Sequence, residues 1–415
     1  MVSLTSVTFS PVQRRDLTLV AILRGVSYLG DAIALIALYL RLAHGANASW
    51  AIASLSIAAS LPLVVLSPIS GFVIDHTPSL KRLLTILCFC EGVVCVGIGL
   101  WHGRIVTIGL MALLSCFVAF SFPGYAALVP KIAGEENITA ANSSMQSVQG
   151  IAAVAGPGLG GLLVGLLGQS WPLYFDAISF GLGAIATLML VTDRRPDPGV
   201  ERPTKGERDL GSGMRVLFAD RVLRPLVIMF VVFLLALVMI NVAEVFFITK
   251  TLHSSALMYG LVGTSFGVGN IVGAVASAKI KQHDVSLARA ALLGSIVVAL
   301  FVGAIGLVEH VDYLFPILVV VGVAVGVVNV TLTTLMTVRT PEAQRGRMFA
   351  ASNAVFTSAE ILGTVFGGLI LTIVAPRTVF QIAGTVTTIF VLVFGPFALR
   401  ATRSAKNFEM KSLDA

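Results

Sequence analysis

The chain has 415 residues, 56% hydrophobic and only 12% charged, with a mean hydropathy of +0.94. Soluble globular domains carry about 25% charged residues, so the ordinary soluble classes are excluded and the unit to count is the bilayer span. The net charge of +7 would suit a nucleic-acid partner, but short basic loops on one membrane face give the same excess.

A hydrocarbon core of about 30 Å takes roughly 20 apolar residues as a helix. That length predicts twelve spans. In the first half they cover 17–43, 48–74, 82–101, 104–128, 140–167 and 171–191. In the second half they cover 223–249, 256–280, 286–307, 312–338, 348–375 and 377–400. Between the halves, Thr192 to Arg224 carries eight Lys/Arg, six Asp/Glu and three Pro, with no apolar periodicity long enough for a core. The expected organisation is an N-terminal six-helix bundle over 1–191, a cytoplasmic linker over 192–222, a C-terminal six-helix bundle over 223–400 and a cytoplasmic tail over 401–415. With the N-terminus inside, the inner segments hold 23 Lys/Arg and the outer loops hold 4. This bias predicts a multi-pass membrane protein with both termini and the linker cytoplasmic, and it accounts for the net charge without nucleic acid. The first apolar run is long and carries Arg24 and Asp31, so no cleavable signal peptide is expected. Cys88, Cys90, Cys95 and Cys116 all fall in apolar runs and read as buried free thiols.

The halves repeat. A shift of 207 residues lays Glu135 on Glu342, Gly156 on Gly363, Gly160 on Gly367 and Gly161 on Gly368. A parallel repeat of this kind predicts two bundles with a substrate site between them. In the fifth span, Gly156-Pro157-Gly158-Leu159-Gly160-Gly161 offers a close-packing face, and its proline permits a bend and hence a hinge. At the turn after the second span, Gly71 permits close contact, and Asp75 can pair with a basic group or a helix N-terminus of the other bundle. Lys81 and Arg82 follow, and the whole turn also reads as a basic inner loop.

These residues resemble the major facilitator superfamily. Gly71-x-x-x-Asp75 with Lys81-Arg82 is similar to its signature loop, and Gly156-Pro157-x-x-Gly160-Gly161 to the helix-five motif of its drug/proton antiporters. Leu29-Gly30-Asp31, Asp176-Ala-Ile-Ser-Phe180 and Thr340-Pro341-Glu342 with Arg345-Gly346-Arg347 resemble the macrolide-efflux and enterobactin-exporter branch. The resemblance covers essentially the whole chain. It implies an all-α integral membrane protein: twelve transmembrane helices in two pseudo-symmetric six-helix bundles. It also implies that Gly71, Asp75, Lys81, Arg82, Gly156, Pro157, Gly160, Gly161, Arg345 and Arg347 serve gating. His76 replaces the usual basic residue, and the fourth span lacks an intramembrane arginine, so a proton path must lie elsewhere.

Ionisable groups within spans are costly and serve function or pair with one another. Arg24 and Asp31 are seven residues apart, hence on one helix face about two turns apart, with Ser27 and Tyr28 near it. Asp31 is the first candidate for a protonatable coupling group; a buried structural hydrogen-bonding role is the alternative. Glu360, near mid-membrane in the eleventh span, is the second candidate for substrate or proton contact. Glu244, near Asn241, suits an outer vestibule, and Glu91 suits structural pairing at least as well as transport. Asp176 lies within two turns of a helix start, where capping or a dipole contact explains it.

No catalytic, metal or phosphate-loop constellation is present, so no cofactor is expected and energy comes from a gradient. The function expected is export of amphipathic small molecules by alternating access, with H+ as counter-ion and a monomer in the bilayer. An importer or lysolipid flippase of the same fold is the rival. A polytopic enzyme or a sensor fits poorly, because the chain lacks clustered His, Asp or Ser and a soluble domain.

Overall fold

The computed structural model describes residues 10–44, 47–134, 137–193, 210–220, 222–281 and 283–413. Glu135 and residues 194–209 of the expected linker lie outside the described residues. Everything with regular structure among the described residues is helical. Lipid offers backbone groups no partners, and a helix satisfies its own N–H and C=O groups internally. Among the described residues, twelve helices are long and apolar enough to cross a bilayer.

The chain divides into two compact units, Met1–Val200 with Ser255–Thr264, and Glu201–Ser254 with Ser265–Ala415. The first unit holds α1 (Pro11–Leu42), α2 (Ala48–His76), α3 (Leu80–Leu100), α4 (Arg104–Ala133), α5 (Ile138–Leu167) and α6 (Trp171–Met189). In it α1 packs along α5 and α6, α2 along α4, and α3 along α4 and α6. The second holds α7 (Leu210–Ala219), α8 (Leu223–Phe246), α10 (Asp284–Ile305), α11 (Leu314–Arg339), α12 (Glu342–Ile370) and α13 (Pro376–Leu413). There α8 packs on α12 and α13, and α10 on α11 and α13. The helix α9 (Ala256–Ser277) contributes its first residues to the first unit and the remainder to the second. Large apolar side chains such as Ile105, Leu166 and Ile373 stand exposed, as the lipid-facing side of such bundles requires.

Several boundaries differ from the sequence expectation. Helix α1 begins at Pro11 rather than at 17, because Ser10 accepts from the Gln13 N–H and the Gln13 side chain accepts from the Ser10 N–H, a capping box outside the apolar run. The polar segment yields the ten-residue helix α7, whose Leu217 is buried and which packs on α12. Helix α13 runs on to Leu413, through residues assigned to the tail. Helix α8 ends in a π-helical turn over Phe247–Thr251. All four cysteines are free, but only Cys88 and Cys95 are buried; Cys90 and Cys116 are half-buried.

The fifth helix is where small residues matter most. A side chain at Gly156 would strike Ala32 of α1, and one at Gly160 would lie 3.0 Å from Ile36 Cβ. On its other side, still within the first unit, Gly161 meets Gly260 backbone and the Gly158 N–H donates to Thr264 Oγ1 at 2.9 Å. The packing role expected of this motif is present on both faces of α5.

At the end of the first unit where α6 finishes, two carboxylates tie the chain down. Asp16 Oδ2 accepts from the N–H groups of Val191 (3.0 Å) and Thr192 (2.8 Å). Asp193 accepts from Ser79 Oγ at 2.6 Å and from the Lys81 N–H at 3.0 Å. Lys81 Nζ in turn donates to the Leu190 carbonyl.

Candidate functional site

The polar interior of the first unit begins with the face of α1 that carries Arg24, Ser27 and Asp31. Arg24 is 8% exposed, and its guanidinium lies 4.4 Å from the centre of the Tyr28 ring and 4.7 Å from that of Tyr125. Two aromatic faces stabilise the charge through their quadrupoles. Tyr125 of α4 is fixed by its hydroxyl, 2.7 Å from Thr187 Oγ1 and 3.3 Å from Cys88 Sγ.

Two turns further along α1, Gly30 lets α6 come close. A methyl at Gly30 would sit 3.0 Å from Ser179 Oγ and 3.2 Å from Asp176 Cα, and would run into the Asp176 carboxylate. Asp176 is 1% exposed; Ser179 Oγ donates to its carbonyl at 2.7 Å and to Oδ1 at 3.3 Å, and Cys95 Sγ lies 3.5 Å from Oδ2. Asp31 and Asp176 line one cavity of about 190 Å³ inside the first unit, with Cys95, Ser115 and aliphatics such as Leu38 and Leu114. Asp31 is half-buried and lines this space. Like charges in an apolar cavity repel strongly, so a carboxylate pair of this kind can take up and release a proton without leaving two unscreened charges.

Asp176 is therefore not a helix cap: Ser170 occupies the N-cap of α6, and Asp176 lies inside the bundle facing α1 and α3. The Asp176-x-x-Ser179 spacing and the Gly30-Asp31 pair were the available signals. Sequence reasoning also missed Tyr125, which no periodicity marks.

The other candidates scatter. Glu91 of α3 is fully buried, and Ser121 Oγ donates to its Oε1 at 2.7 Å, a pairing contact with α4. Glu244 is half-buried near the end of α8, just before the π turn, and Glu360 is exposed on α12. Neither lines the Asp31 cavity. Asp75 is exposed in the last turn of α2, and Arg82 is exposed with its N–H donating to Ser79 Oγ at 3.3 Å. A carbon built on Gly71 would meet nothing within 4 Å. Lys81 is held to the end of α6, as described above. Pro157 is half-buried and packs its ring on Gly263. Arg345 Nε donates to the Thr337 and Thr340 carbonyls, both at 3.2 Å, which caps the end of α11. Arg347 is half-buried one turn into α12.

With twelve bilayer-length helices among the described residues, the architecture matches the fold of solved membrane transporters. A bacterial homologue of the human lysosomal transporter Spinster, inward-facing and unoccupied, superposes with a TM-score of 0.71 at 13% identity, covering 95% of this chain and 98% of that one. The nucleoside transporter NupG gives 0.72 at 13%, covering 92% and 98%. The chain belongs to the transmembrane secretion effector family of the major facilitator superfamily, whose model matches residues 6–414. Among its relatives are the MFS-type transporter YfiS of Bacillus subtilis (strain 168), 23% identical over 376 residues, 86% of this chain and 87% of that protein. The multidrug efflux pump Tap of Mycobacterium tuberculosis (strain ATCC 25618 / H37Rv) is 24% identical over 361 residues, 82% and 83% of the two chains.

Proposed function

We propose that this transporter exports amphipathic small molecules by alternating access in exchange for protons. The observation that carries the reading is the Asp31–Asp176 pair on one cavity inside a membrane-spanning bundle. Asp31 is the coupling carboxylate, and Asp176 shares its proton. The efflux activity in the name of Tap supports outward transport. The 23 to 4 distribution of Lys/Arg supports cytoplasmic termini, and the bacterial relatives support a bacterial inner membrane. A monomer with substrate, H+ and lipid as its partners is part of this proposal. The division into bundles at 1–191 and 223–400, the hinge at Pro157, and gating by Gly71, Asp75, Lys81, Arg82, Arg345 and Arg347 belong to the same proposal.

The test is Asp31→Asn in everted membrane vesicles under an imposed pH gradient, with a panel of labelled drugs and siderophores. The variant is expected to reach the membrane folded and to lose gradient-driven export. Export at the wild-type rate would remove Asp31 from the mechanism, and label that accumulates in intact cells would reverse the direction.

A further inference from the structure

In the second unit α8 and α12 run side by side in the same sense. The Phe230 and Phe356 rings meet with centres 4.9 Å apart, and further along Gly363 lies against Leu235. Where α7 joins them lies a groove of about 370 Å³. Its α12 wall carries Ala351, Ala354, Val355, Ser358, Ala359 and Leu362, the three-and-four spacing of one helix face. Three of those six are alanines, and such short side chains beside Val231 and Leu235 leave the trough between the helices unfilled. Met214 of α7 completes the lining.

Nothing in this lining calls for a polar ligand. The hydroxyl of Ser358 donates to the Ala354 carbonyl one turn back at 2.7 Å, and Glu360 lies outside the lining. Leu362 is 50% exposed, so apolar surface is left uncovered. Charge gathers at one end. Arg224 stands seven residues before Val231 on α8, and Arg347 four residues before Ala351 on α12, each on the face that lines the groove. Because the two helices run the same way, both arginines fall at the same end. Arg215 follows Met214 on α7, which leads after Ala219 into the start of α8. Arg215 and Arg224 are exposed and Arg347 is half-buried; none of the three makes a hydrogen bond or ion pair among the described residues. Asp220, four residues before Arg224, is already engaged by Arg339 and by the Val222 and Leu223 N–H groups.

An apolar trough that ends in unspent guanidinium groups has the polarity of a lipid, chain along the trough and phosphate at its end. Guanidinium groups take phosphate through paired hydrogen bonds, and basic pockets between membrane helices favour anionic head groups. A zwitterionic head group carries its own cation and loses that advantage. We propose that the groove formed by α7, α8 and α12 binds one acyl chain of an anionic membrane phospholipid, with Arg224, Arg347 and Arg215 around its phosphate. This binding stands independently of the export reading.

The test uses the purified full chain in detergent, with dioleoyl phosphatidylglycerol or dioleoyl phosphatidylcholine added. Thermal unfolding gives the apparent affinity, since a ligand of the folded state raises the melting temperature, and native mass spectrometry counts retained lipid. Phosphatidylglycerol is expected to stabilise the wild-type chain and to be retained, and phosphatidylcholine to do neither. Each of Arg224→Gln and Arg347→Gln is expected to weaken the response about fivefold, and the double variant roughly 25-fold. Ala354→Phe, which fills the trough and keeps the arginines, is expected to abolish it. Equal responses to the two lipids would overturn the proposal, as would a wild-type response in the double variant or in Ala354→Phe. Equal stabilisation by octanoate would give the groove to soluble amphiphiles, and a dimer that forms as lipid is stripped and is lost in Ala354→Phe would give it to a second copy; either overturns the lipid. Should the double variant or Ala354→Phe fail to fold, the two single arginine variants carry the test, and wild-type affinity in both would overturn it. None of these readings involves transport, so they stand or fall separately from the vesicle experiment.

Discussion

In the first unit, Gly156 and Gly160 of α5 lie against Ala32, Ile33 and Ile36 of α1; in the second, Gly363 and Gly367 of α12 lie against Leu235, Val238 and Met239 of α8. The same seam is built twice. The interiors beside those seams are unlike. The first unit buries Asp16, Arg24, Glu91 and Asp176. Among the described residues, the polar side chains buried in the second are hydroxyls. Ser277, Ser295 and Thr331 bond carbonyls one turn back in their own helices, at 2.8, 2.8 and 2.6 Å, and so are satisfied locally. What repeats is scaffold; the buried charges do not repeat.

The strongest way to break this comparison is to neutralise a charge on one side and a hydroxyl on the other. Asp176→Asn is expected to lower proton-driven export on the order of 100-fold, the scale of losing a positioned proton carrier. Thr331→Val should change it by less than about threefold. Comparable losses in both variants, measured as initial rates in everted vesicles, would erase the distinction.

Next come the seams. Gly160→Leu and Gly367→Leu each force side chains into a backbone contact and should cost about 1–3 kcal/mol or more. Thermal unfolding and size-exclusion profiles in detergent should show the two variants equally damaged; a large difference would mean the repeat is one of sequence more than of packing.

A smaller effect separates the two kinds of buried hydroxyl. Ser121→Ala removes the donor to Glu91 and leaves a buried carboxylate oxygen bare, a loss of about 1–3 kcal/mol. Ser295→Ala removes only a bond within its own helix, and its melting temperature should barely move.

The smallest lies at the end of the second unit where Asp220 and Asp284 both meet Arg339. Burial pushes the Asp220 carboxyl up. Hydrogen bonds from Arg339 and from the Leu223 and Val222 N–H groups outweigh it and hold the group below the usual carboxylate range. A carboxyl depressed on folding contributes stability that is complete above its unfolded value of about 3.9 and is lost as pH falls through the folded value. Arg339→Gln should therefore melt slightly earlier at pH 7, and the gap to wild type should narrow progressively as pH falls below about 3.9. A gap that stays constant across that fall would show that Arg339 acts through packing.

The helices were largely legible because bilayer thickness imposes one length, and the glycine seams because small residues recur at fixed spacing. What lay hidden was direction. The sequence placed Asp31 at mid-membrane, but only the approach of α6 over Gly30 turns it toward Asp176. Asp176 was assigned to a helix end because sequence distance from a start cannot reveal which neighbour a residue faces. Arg24 could be seen as a lone buried cation, whereas its aromatic partner Tyr125 lies 101 residues away by the numbering and shares no local pattern with it. The capping box at Ser10 was readable in principle; the apolar run drew the boundary inward.

The anchorage at Asp16 and Asp193 carries a mechanical consequence. Tension arriving through the polypeptide after Asp193 falls on paired backbone amides, a serine hydroxyl and the start of α3, and does not first peel α6 from its neighbours. The first bundle is thus fastened at the point where α6 ends, by four hydrogen bonds that a pull on the chain would meet before the helix itself.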